Sequence, residues 1–114
     1  MKKTRLIVGF FYLNNIKTMN QKEIDINLKL INKSWEIFEN KLRIKIEFSN
    51  FITAFDFMSE IAKVSEEIKH HPQWTNNYNK LEIVLWTHDK QAITSLDFIL
   101  AKRIDQKMIE LNKA

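Results

Sequence analysis

Glu66-Glu67-Ile68-Lys69-His70-His71-Pro72-Gln73-Trp74 is the stretch on which the architecture turns. Apolar residues upstream of it recur at helical spacing. Pro72, the single proline of the 114-residue chain, cannot continue a helix and pushes His71 towards extended backbone. A helix is therefore predicted to stop near Lys69, with a stiff extended exit behind it. Neighbouring side chains on extended backbone point in different directions, so His70 and His71 can take different tasks. The chain has three histidines, and the third follows soon after in Thr87-His88-Asp89. A hairpin-like return predicts that His88 comes back to the same mouth.

Working outward, Asn50 to Lys69 reads as the central helix. Phe51, Phe55, Met58, Ala62, Ser65 and Lys69 form one stripe, widened by Ala54, Ile61 and Ile68. Such an aromatic stripe is expected in the core. Before it, Leu42, Ile44, Ile46 and Phe48 alternate with Arg43, Lys45 and Glu47, a strand with one buried and one wet face. Trp35 to Phe38 is its hairpin partner, with Asn40-Lys41 at the turn. Asn20 to Lys33 is a first helix: Ile24, Leu28 and Ile31 lie at helical spacing, and Asn20 with Glu23 signals its start. After the histidine pair, Tyr78 to His88 reads as a strand, with Trp74 to Asn77 as a short lead-in strand. Thr94 to Leu111 is the last helix, opened by a capping box in which Asp97 stands where glutamate is usual; Leu100, Ala101, Ile104, Met108 and Leu111 form its apolar stripe. The order is α-β-β-α-β(β)-α. It predicts an α+β fold: an antiparallel sheet of three to four strands with helices packed on one face.

Composition narrows the function classes. Hydrophobic residues make up 45% of the chain, with eight Phe and three Trp, enough for one packed core. One glycine and one proline leave no room for a flexible linker. Without cysteine there is neither a disulfide framework nor a thiol nucleophile. The formal charge of +4 invites a nucleic-acid reading, but Lys2, Lys3, Arg5 and Lys17 precede the first acidic residue. The remaining basic side chains are matched by 14 acidic ones, so no clustered positive surface is expected. The basic start and the apolar run from Leu6 to Leu13 resemble the first parts of a secretory signal, but no small-residue cleavage site follows and the run is too short to span a bilayer. Met19-Asn20-Gln21-Lys22 reads like a natural start. Residues 1–18 are accordingly read as an N-terminal extension and 19–114 as one domain, cytoplasmic and off the membrane.

Three histidines leave two chemistries open. Neutral imidazoles could hold a metal in a three-histidine site, although vicinal histidines on extended backbone are awkward ligands for one ion and no aspartate-rich cluster completes the set. Alternatively, imidazole, with an ordinary pKa of about 6.5, exchanges protons near neutrality and needs no cofactor. Glu66 stands one helical turn before His70, which leaves two readings open: a carboxylate that orients that ring, or a solvated helix end. Asp97 is first of all a helix cap.

The spacing of Glu66, His70-His71-Pro72, Tyr78, His88 and Asp97 resembles the signature of the pterin-4a-carbinolamine dehydratases. Gln73-Trp74, Asn77-Tyr78-Asn79-Lys80, Thr87-His88-Asp89 and Leu100-Ala101 agree with it, as do Trp35, Phe48, Phe51, Ala54 and Phe55; the likeness runs from about Asn20 to Gln106. It departs where relatives usually carry glycine between the third histidine and the threonine. Here Gln91, Ala92 and Ile93 stand; if that glycine supplies a left-handed position, this loop is expected to bend another way. Lys69 replaces a frequent acidic residue, and Leu96 a basic one. The resemblance implies a lyase that dehydrates 4a-hydroxytetrahydropterin in tetrahydrobiopterin recycling, linked in function to an aromatic amino-acid hydroxylase. It implies catalytic His70, His71 and His88, with Glu66, Pro72, Thr87 and Asp89 binding substrate and Trp74 and Asp97 supporting them. It implies no metal and no cofactor, the pterin being substrate, and a homo-oligomer, dimer or tetramer. A non-catalytic oligomeric module stabilising a protein partner on the same scaffold is the alternative.

Overall fold

Local capping signals set the first boundaries. The computed structural model describes residues 16–113, so the basic start and apolar run before Asn14 lie outside the described residues. Asn20 caps helix α1 (Gln21–Leu28) reciprocally: its Oδ1 accepts from the Glu23 N–H at 2.9 Å, and Glu23 Oε1 accepts from the Asn20 N–H at 3.0 Å. Two N–H groups left over by the helix start are thus satisfied. α1 ends well before the expected Lys33. Asn27 turns its amide back onto the Glu23 carbonyl, and Asn32 forms an Asx turn by accepting from the Ser34 N–H. That turn drops Trp35 into the core. Residues 16–19 are not detached: Ile16 is buried, Thr18 forms an isolated bridge with Thr94, and Met19 N–H donates to the Ile93 carbonyl at 3.2 Å.

Strands β1 (Glu36–Phe38), β2 (Lys41–Glu47), β3 (Gln73–Asn77) and β4 (Lys80–Leu85) form one antiparallel sheet in the order β1-β2-β4-β3. Glu39 and Asn40 make the first hairpin turn, both left-handed at φ 50° and 62°. The expected long strand from Tyr78 is shorter, because Tyr78 itself is left-handed at φ 55° and belongs to the β3–β4 turn. Alternation does what the pleat requires. Leu42 and Ile44 pair with Leu85 and Ile83 on the buried face; Lys45 and Glu47 pair with Glu82 and Lys80 on the outer one.

Helix α2 (Phe51–Ile68) follows Asn50, whose Oδ1 accepts from the Thr53 N–H at 2.8 Å. Its buried face corrects the sequence reading. Ala54, Phe57, Ile61, Val64 and Ser65 face inward, whereas Phe51 and Phe55 are 45% and 53% exposed and Ala62 is exposed. The inward stripe collects Phe57 and Val64, which a stripe through Phe51 and Phe55 would leave in water. Phe57 packs on Phe48 with ring centroids 5.1 Å apart, a favourable aromatic distance. Helix α3 (Ser95–Lys113) lies beside α2 and buries Leu100, Ala101 and Ile104. Sheet and helices share one core, with the helices on a single face of the sheet. Asp105 of α3 ties α1's exit to this layer, accepting from the Asn32 N–H at 2.8 Å and Trp35 Nε1–H at 2.7 Å. Burial pushes its carboxyl above the usual range, partly offset by those two donors. None of the described helices is long and apolar enough to cross a membrane.

Candidate active site

The end of α2 separates the histidine pair. Lys69 terminates the helix in the left-handed conformation, φ 56° and ψ 41°, and the His70 N–H returns to the Ser65 carbonyl at 3.0 Å. This reversal turns His70 inward, to 7% exposure, and leaves His71 in solvent. Pro72 then leads into β3 at Gln73.

His70 rests on a carboxylate. Its Nε2 lies 2.6 Å from Asp97 Oδ1, and Asp97 is fully buried. The other oxygen, Oδ2, accepts from the Thr94 N–H at 2.8 Å and the Thr87 hydroxyl at 3.0 Å. A carboxylate only accepts, so Thr87 donates to it. Thr94 Oγ1, 2.6 Å from Thr87 Oγ1, must then donate to Thr87, and Thr94 Oγ1 itself takes the Leu96 N–H at 3.2 Å. One carboxylate thus caps α3, anchors the end of β4 and orients an imidazole. With Nε2–H donated to Asp97, neutral His70 carries its lone pair on Nδ1.

The pairing of Glu66 with His70, one of the two readings of that helix end, is not the one formed. Glu66 pairs with His71, both side chains largely exposed. The i,i+4 alignment holds only while the helix continues, and Lys69 ends it one residue too soon.

The opposite wall is the turn after β4. Thr87 N–H donates to the Ala92 carbonyl at 2.9 Å, and a 3₁₀ turn, His88–Lys90, is pinched out between them. Gln91 closes that turn at φ 53° and ψ 37°. The expectation that this loop bends another way without glycine is thereby corrected: Gln91 itself takes the left-handed conformation, at a cost of roughly 1 kcal/mol. His88 stands exposed on the turn, its ring stacked on Trp86.

These segments enclose an open cleft of about 470 Å³ lined by Lys69, His70, His71, Pro72, Gln73, Thr87, His88 and Asp89. All three histidines border it. Asp97 lies beneath His70 rather than in the lining, Trp74 packs against the core from β3, and Glu66 reaches the rim through His71. Lys69 and Gln73 in the lining and Thr94 beneath it join the site beyond the residues expected from the sequence, where Thr94 reads as the start of the last helix and Asp97's capping partner. A second depression of about 480 Å³ on the outer sheet face is lined by Lys45, Glu47, Thr75, Asn77, Lys80 and Glu82; it contains no imidazole. Among the described residues, no group of three His, Asp or Glu side chains is arranged to hold a metal ion. What the histidine cleft offers is three imidazoles held in different ways: one clamped by Asp97, one paired with exposed Glu66 and one stacked on Trp86.

The sequence profile of the family described as Pterin 4 alpha carbinolamine dehydratase matches residues 17–107. A protein of Prochlorococcus marinus named "Putative pterin-4-alpha-carbinolamine dehydratase" is 47% identical over 89 residues, covering 78% of this chain and 92% of that protein. One of the same name from Chelativorans sp. is 39% identical, covering 76% and 90%. Among solved structures, the transcriptional coactivator/pterin dehydratase from Brucella melitensis superposes with a TM-score of 0.77 at 28% identity, covering 80% of this chain and 98% of that one. The chain belongs to the pterin-4-alpha-carbinolamine dehydratase family, a family of lyases.

Proposed function

We propose that the chain removes water from a 4a-hydroxytetrahydropterin by histidine general acid–base catalysis, in the recycling of tetrahydrobiopterin for an aromatic amino-acid hydroxylase in the cytoplasm. In the step, one imidazolium delivers a proton to the C4a hydroxyl and the C–O bond breaks. The neighbouring nitrogen's lone pair stabilises the cation so formed. A second, neutral imidazole takes the proton from that nitrogen, giving water and the quinonoid dihydropterin. Both steps need groups that exchange protons near pH 7, and no redox partner or further cofactor is required.

His70 and His88 are the proton-exchanging pair. His71 holds the pterin, and Pro72, Thr87 and Asp89 form its walls, with Glu66 restraining His71. The single observation behind this reading is the convergence of three histidines on one cleft, with Nε2 of His70 committed to a buried carboxylate. That commitment supports a base at Nδ1 with a fixed tautomer. Stopped-flow measurement of 4a-hydroxytetrahydropterin breakdown tests it. The wild-type protein is expected to accelerate breakdown, and His70→Gln and His88→Ala to lose about 10²-fold or more. Uncatalysed rates in the wild type would overturn the reading.

A second role has a specific observation in its favour. Phe51, Ile52 and Phe55 form an exposed apolar face on α2, at 45%, 71% and 53% exposure, and exposed apolar patches mark association surfaces. We infer that the chain forms a homo-oligomer through it, the same surface serving the alternative of stabilising a protein partner. Sedimentation of wild type against Ile52→Asp checks this: the variant is expected to run as the smaller species.

A further inference from the structure

Among the described residues, the hydrogen bonds made by imidazole rings belong to His70 and His71. His88, on an exposed 3₁₀ turn, is held in another way. Its ring is stacked on the indole of Trp86, with centroids 4.1 Å apart and planes within 10°. The cause is the strand geometry. Thr87 is extended at φ −94° and ψ 108°, so residues 86 and 88 project to one side while Thr87 points to the other, where its hydroxyl meets Asp97. Trp86 is itself restrained. Leu42 pairs with Leu85, so the next rung sets Trp86 opposite Lys41, whose Nζ lies 4.3 Å from the indole centroid. A cation thus anchors the indole, and the indole supports the imidazole.

We propose that Trp86 is the positioning residue for His88: a flat platform that holds the imidazole at the mouth of the cleft in the orientation needed for proton exchange. The proposal rests on the reading of His88 as a proton-exchanging residue. An exposed ring on a surface turn otherwise spreads over staggered rotamers, whereas the ring stacked on Trp86 is kept where it borders the cleft. His70 obtains its orientation from a buried carboxylate; His88, on the rim, has an aromatic face instead. Thr87 couples the two, since it lies between Trp86 and His88 and bonds to the carboxylate that orients His70.

The test compares wild type, Trp86→Leu, Trp86→Phe and His88→Ala in the stopped-flow dehydration of 4a-hydroxytetrahydropterin, together with the imidazole proton spectrum. Leucine keeps apolar bulk but has no π-face. Trp86→Leu is expected to lower kcat by about three- to ten-fold with KM within about two-fold, and Trp86→Phe to recover most of the loss. The His88 ring protons in the wild type are expected upfield of free imidazole through the indole ring current, and to return downfield in Trp86→Leu. Full kcat in Trp86→Leu alongside an inactive His88→Ala would overturn the platform while leaving the role of His88 intact. Wild-type His88 protons at free-imidazole positions would overturn it even if Trp86→Leu failed to fold. A fully active His88→Ala would remove His88 from the reaction, and the platform's purpose with it.

Discussion

The imidazole of His70 meets a carboxylate with no solvent exposure, whereas that of His71, one residue on, meets Glu66 in open water; the side-chain exposures are 8% and 0% for the first pair, 60% and 77% for the second. Both are histidine–carboxylate contacts between residues of the same types. Their surroundings set their worth. An exposed ion pair is screened and entropically loose, contributing about 0–1 kcal/mol. A buried contact is expensive to break, because removing one partner strands the other away from water, at about 1–3 kcal/mol for each group left unsatisfied. The inner pair fixes geometry, and the outer one leaves both groups to solvent.

The sharpest way to break this contrast is Asp97→Ala. It strands the Thr94 N–H, the Thr87 hydroxyl and His70 at once. The expected loss is about 3–5 kcal/mol, seen as a fall in Tm on the order of 10 °C or more, with activity lost as well. A thermal melt within two degrees of wild type would show that the network contributes little. His70→Gln separates chemistry from architecture. Its amide can still donate to Asp97, so circular dichroism should stay native while the dehydration rate collapses.

Asp105 sits between the two extremes. Asp105→Ala leaves Trp35 Nε1–H and the Asn32 N–H without their acceptor, at about 1–3 kcal/mol by denaturant titration. Its pH dependence has a definite sign. Its folded carboxyl is raised above the ordinary 3.8, so the folded state holds that proton more tightly than the unfolded chain. The stability linked to it is fully present below about 3.8 and is lost as pH rises through the raised value. Asp105→Ala should flatten that slope in melts between pH 3.5 and 7. Smaller effects close the series. Gln91→Gly relieves a left-handed glutamine and should raise stability by about 0.5–1 kcal/mol. Glu66→Gln, acting on the exposed pair, should change stability by less than about 0.5 kcal/mol.

Legibility followed the range of the interaction. The Asn20–Glu23 box, between residues three apart, formed in full; of the Thr94–Asp97 box the carboxylate half formed, while the Thr94 hydroxyl takes the Leu96 N–H. The alternation through Leu42 to Phe48 set the sheet's inner face, because a strand has only two faces. α2 was harder. It carries apolar residues around more than half its circumference, so periodicity admitted stripes through Phe55 or through Phe57, and contact with Phe48 selected the latter. The Glu66–His70 pairing failed on a single backbone angle, the left-handed Lys69.

By itself the sequence determined the α+β order, the helix stop before Pro72 and the small set of titratable groups, since propensity, pleat and proline sterics act within a few residues. Only the tertiary structure decided which histidine sinks onto Asp97, 27 positions away, that His88 leans on Trp86, and which face of α2 stays in water. Those outcomes depend on packing between elements distant along the chain, where burial converts a contact worth little in solvent into one that fixes a ring.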